Sequence, residues 1–183
     1  SHSLGKGGTF SLAAGGIGIG DVASTATNRF AVDPAFFSQG GFSAFSLFAT
    51  ESGVDVAAGT VVNLAGEQWQ WKNGDYIRAA SAAGIADLVT VVGPQQQPEY
   101  RVPAVDLLLS SSQSGRNDFV SQDGIRIGEG AVIQGRPGAA ISLTATDGDI
   151  DIKGSIIARG GSVDVTVSGT TAKFDPSLAV RLH

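Results

Sequence analysis

The stretch GDIDIKGSIIARGGSVDVTVSG, Gly148–Gly169, decides the fold. Ile150 and Ile152 alternate with Asp149 and Asp151, and Val163 and Val165 flank Asp164. Alternation of apolar and polar residues over about four to six positions is the period of a strand with one buried face. Glycines interrupt the runs before a helix of useful length would form. The segment therefore reads as short strands joined by tight turns, and both of its patterns recur elsewhere in the chain.

The first pattern is DIDIKGSII (149–157), with earlier copies GVDVAAGTVV (53–62) and GIRIGEGAVI (124–133). Val54, Ile125 and Ile150 correspond, as do Val56, Ile127 and Ile152. Gly59, Gly130 and Gly154 stand as the turn, and Val61-Val62, Val132-Ile133 and Ile156-Ile157 close the unit, the last copy being one residue shorter. The second pattern supplies Phe10/Leu12, Phe45/Leu47, Val105/Leu107, Ile141/Leu143 and Val163/Val165 as inward pairs. Ile141 to Val163 spans about 22 residues, room for two to three short strands and their turns. Such a unit buries its apolar row only against its neighbours, with like residues stacked at about 4.8 Å. The expected fold is all-β: a parallel β-helix, or solenoid, of about four to five coils running through residues 1–183, with long loop insertions.

The spacing between copies is uneven, so the excess residues leave the coil as insertions near 21–40, 65–102 and 110–123. Insertions of this kind often collect on one face and carry function. In the first, Phe36 and Phe37 are expected to cover an end of the core. The second holds both Trp, both Tyr and two of the six Pro, with Pro103 directly after it. Its KNGD turn suggests a hairpin pairing Gln68–Lys72 with Asp75–Arg78, followed by a short helix over 78–92 or a strand at Leu88–Val92. Trp69 and Trp71 would share one strand face, with Tyr76 across the hairpin. That aromatic face either packs on the solenoid flank or stacks on a glycan or a partner protein. The third insertion is Ser-rich and polar, and its GRND (115–118) is not an adhesion tripeptide.

Composition narrows the chemistry. With 42% apolar and only 16% charged residues, the chain has the material for a core. A net charge of −5, with 12 Lys and Arg scattered along the chain, offers no basic face for nucleic acid. Cysteine is absent, which excludes disulfides and Cys-based zinc sites. The two histidines, His2 and His183, stand at the ends, leaving no internal Ser-His-Asp arrangement. No apolar run is long enough to span a membrane as a helix. Methionine is also absent, so the chain is expected to be a piece of a longer protein, with Ser1-His2 an expression scar.

Asp147, Asp149 and Asp151 fall at i, i+2 and i+4, which predicts one outward strand face. A solvated face that discourages aggregation is the first reading of that row. Its alternative is a metal site, for which Ca²⁺ is the ion such oxygens take. Otherwise no cofactor is implied. GGIGIGD (15–21) misses the dinucleotide fingerprint, with Asp21 where Gly is required and no βαβ unit around it. No residue is singled out as catalytic.

PAFFSQGGFSAFSLFATESGVDVAAGTVV (34–62) resembles a segment of the filamentous-haemagglutinin-type large exoproteins of Gram-negative bacteria. Members of that family carry a Phe-Phe-x-x-Gly-Gly-Phe run leading into an FSL strand and a GVxVxAGT turn. The closing stretch from Gly148 is similar to their coil repeat. The resemblance implies a right-handed parallel β-helix exported by two-partner secretion, with an outer-membrane pore as partner in transit. It also implies a secreted or cell-surface location and an adhesin or toxin-delivery stalk, contacting a protein or glycan on a host or neighbouring cell. The family's Asn-Pro-Asn secretion signature is missing, so an internal or C-terminal-side segment is expected. The expected function is structural and interactive, without catalysis. The alternatives are a carbohydrate-active β-helix enzyme and a calcium-stabilised solenoid module.

Overall fold

Short runs rich in Val, Ile, Leu and Phe, each cut by Gly or a polar turn, favour extended backbone, because β-branched and aromatic side chains pack well on a pleated surface. The computed structural model describes residues 7–22, 28–72, 89–93, 103–112, 124–169 and 180–182. The described residues are mostly strand, and their three larger sheets are parallel. The strands are β1 Gly8–Ala14, β2 Gly16–Ile19, β3 Arg29–Val32, β4 Phe42–Ala49, β5 Val54–Val56, β6 Val61–Leu64, β7 Gln68–Trp71 and β8 Val89–Val92. They continue as β9 Asp106–Ser112, β10 Ile125–Ile127, β11 Val132–Gly135, β12 Ala140–Thr146, β13 Ile150–Ile152, β14 Ser155–Ala158, β15 Ser162–Ser168 and β16 Val180–Leu182. A 3-10 turn, Pro34–Ser38, precedes β4.

The sheet orders are β1-β4-β9-β12-β15, β16-β13-β10-β5-β2-β3 and β14-β11-β6. In sequence, β4-β5-β6, β9-β10-β11 and β12-β13-β14 each visit the three sheets in the same order and add one strand to each. Identical positions meet across those additions. Val54, Ile125 and Ile150 form one register column, and Val56, Ile127 and Ile152 the next. These six side chains are buried in a core cluster that also holds Leu47, Leu107, Leu109, Ile133, Ile141 and Leu143. Full burial of such a side chain favours folding by about 1.5–3 kcal/mol.

Two sequence-based alignments shift. In the first sheet Phe45 pairs with Leu107 and Leu47 with Leu109, and Ile141 and Leu143 meet the same two leucines. The third copy's inward pair is therefore Leu107/Leu109, two residues beyond Val105/Leu107. A two-residue slip keeps every side chain on its face, so the alternation was blind to it. In the third sheet Ile133 pairs with Ile156, not Ile157, and Val132 with Ser155. The last copy is thus two residues shorter. It lacks the turn in which Gly59 and Gly130 adopt φ values of 69° and 68°, and where the Gly59 N–H donates to Glu129 O at 2.9 Å. Lys153-Gly154 replaces that turn, and the Ser155 N–H donates to Ala131 O at 2.8 Å to resume the ladder.

The two ends of the strand stack differ. At one end β3 pairs with β2 and closes that edge of the six-stranded sheet. The 3-10 turn lies against β6, the last strand of its sheet on that side. Asp33 caps the turn, its carboxylate accepting from the Ala35 N–H at 2.8 Å. Phe37 is fully buried and Phe36 packs against the core, in edge-on contact with Phe10 and Phe45. Residues 34–38 thus cover the core as expected. At the other end β15 leaves Val163 45% exposed.

Candidate functional site

The acidic row does not lie on one strand. β12 ends at Thr146 and β13 begins at Ile150, so Asp147 and Asp149 belong to the turn between them. Asp147 has φ 58°, the left-handed region that interrupts strand alternation. Asp147 and Asp149 are 5% and 6% exposed, whereas Asp151 stands half-buried on β13. The expected single outward face is corrected on both counts, because the chain turns where a continuous strand was read. No group of three or more His, Asp or Glu is placed to hold a metal ion among the described residues.

Asp151 instead joins a column of alternating charge. Register aligns Asp55, Arg126, Asp151 and Arg181 on successive strands β5, β10, β13 and β16. The Lys153 Nζ lies 3.6 Å from Asp151 Oδ2. At the other end of the column Arg29, from β3, reaches across β2. Its Nη1 donates to Asp55 Oδ2 at 3.0 Å and its Nη2 to Ser52 O at 3.2 Å. The path runs over the glycines of GGIGIGD: a Cβ at Gly18 would meet Arg29 Cδ at 3.2 Å. The glycine run that mimicked a nucleotide fingerprint is a strand made flat enough for an arginine to cross.

Of the aromatic candidates, Tyr76 lies outside the described residues, as does the proposed pairing segment Asp75–Arg78. β7 contains Trp69 and Trp71, and its described partner is β8, antiparallel, with Trp69 opposite Val91 and Trp71 opposite Val89. The strand read at Leu88–Val92 is present as Val89–Val92, and its β-branched VTVV makes it a strong pairing segment.

Beside this hairpin lies a cleft of about 610 Å³. Its floor is the outer face of the third sheet, where Asn63 of β6 and Gln134 of β11 are register partners. Gln39, following the 3-10 turn, and Val91 of β8 line it, as do Glu67 and Arg136. Glu67 is fixed: its Oε2 accepts from the Gly40 N–H at 3.2 Å, and its own N–H donates to Gly40 O at 2.9 Å. Sequence reading did not single out Asn63, Gln134 or Arg136. Asn63 comes from one pass of the chain and Gln134 and Arg136 from the next, and outward positions vary from copy to copy, so no periodicity marks them.

No known family model, curated protein or solved structure matches the chain.

Proposed function

We propose that the chain is a structural and interaction segment of a secreted bacterial surface exoprotein, an adhesin or toxin-delivery stalk. In this reading it is built as a right-handed parallel β-solenoid and exported through an outer-membrane pore. The observation that carries the reading is the order of the sheets. Three consecutive passes add one parallel strand to each of the same three sheets, with like residues in register. A chain that grows by repeating one unit at about 4.8 Å per pass makes length its product, and stability then resides in neighbour contacts. The resemblance of 34–62 to the large exoproteins supports the same reading.

The contact surface is assigned to the side bearing the β7–β8 hairpin, where the chain departs from the repeating path. Asp55 and Asp151 of the second sheet are paired with Arg29 and Lys153, which suits a wall better than a catalytic groove. The purified protein is accordingly expected to leave acidic polysaccharides intact in a reducing-end and unsaturated-product assay. Cleavage of polygalacturonate or alginate would replace this reading with that of a carbohydrate-active enzyme.

A further inference from the structure

We propose that the cleft between the third sheet and the β7–β8 hairpin binds a neutral oligosaccharide. This rests on the reading of the hairpin side as the contact surface. The class of ligand follows from what the cleft is able to offer. Its floor is a sheet face in which the backbone groups of β11 are committed to β6 on one side and β14 on the other. A peptide strand laid over β11 therefore gains no main-chain ladder from it, and recognition on that floor falls to side chains.

Those side chains are carboxamides. Asn63 and Gln134 stand on adjacent strands about 4.8 Å apart at the backbone. Among the described residues neither side chain is hydrogen-bonded to another. Each carboxamide presents a donor and an acceptor together, the pairing that vicinal hydroxyls require. Gln39 adds a third carboxamide on the flank. Among the described lining residues the formal charges, Glu67 and Arg136, are one of each sign, so together they favour neither an anionic nor a cationic chain. Val91, 45% exposed, supplies an apolar surface for the C–H face of a pyranose. A volume of about 610 Å³ lies within the range of small-molecule sites and has room for a short run of sugar rings.

The test is titration calorimetry of the purified protein with cellohexaose, mannohexaose and a β-galactan hexamer, and with a sulfated heparin hexasaccharide as the anionic counterpart. At least one neutral hexamer is expected to bind. Asn63→Ala and Gln134→Ala should each weaken it about tenfold, the loss of one or two hydrogen bonds, while the melting temperature stays unchanged. Gln134→Glu keeps the length and removes the donor, and is expected to weaken binding similarly. The proposal is overturned by no binding of any neutral hexamer up to about 5 mM, a very weak affinity. It is equally overturned by affinity untouched in the three variants, or by tighter binding of the sulfated chain. Failure of the contact-surface reading shows separately: the protein would attach to cells and Trp69→Ala with Trp71→Ala would leave attachment intact.

Discussion

Single residues do most to separate a wall from a site. Arg29, with Asp55 at 3.0 Å, is the clearest charged contact, and both side chains are largely shielded. A double-mutant cycle on Arg29→Ala and Asp55→Ala, read by urea unfolding, is expected to give a coupling of about 0.5–1 kcal/mol that falls at high salt. A coupling indistinguishable from zero would mean that the arginine crosses β2 without gripping its partner. For Asp147, Asp149 and Asp151 the geometry divides the trio between a turn and a strand. Chelation with EDTA is therefore expected to leave the melting temperature unchanged, and a fall of several degrees would restore the calcium-stabilised alternative. The EDTA expectation turns on φ 58° at Asp147, which side-chain periodicity does not register.

At the scale of the element, what was legible in the sequence was whichever feature repeats. The VDV, IRI and IDI strands were aligned residue for residue, because each inward position must match the one stacked on it. The slip at Leu107 and Leu109 kept its face and so escaped notice, and the shortened last copy hid the pairing of Ile156 with Ile133. β3 was read only as part of an insertion, since one four-residue strand carries no repeat of its own. The cleft was illegible for a related reason: Asn63 and Gln134 are brought together by register alone. The alternation of β9 has a direct consequence, since Leu109 is fully buried and Leu108 is 38% exposed. Leu109→Ala is expected to destabilise by about 2–5 kcal/mol and Leu108→Ser by under about 0.5 kcal/mol, measured by chemical denaturation. Equal costs would contradict that alternation, in which Leu109 faces the core and Leu108 the outside.

At the scale of the molecule, the central claim is that distant segments stack in parallel, in register, pass upon pass. Ser46 of β4 and Ser142 of β12 are the register partners of Leu108 on opposite sides of β9. Both are half-buried on the outward face, and the chain has no cysteine to compete for a label. The most direct measurement is therefore the dipolar broadening between nitroxides attached at Ser46→Cys and Ser142→Cys. Two inter-strand steps put those backbones about 10 Å apart, so strong broadening is expected in the double-labelled protein. A spectrum equal to the sum of the two singly labelled proteins, meaning a separation beyond roughly 20 Å against the two-step spacing, would contradict the stack.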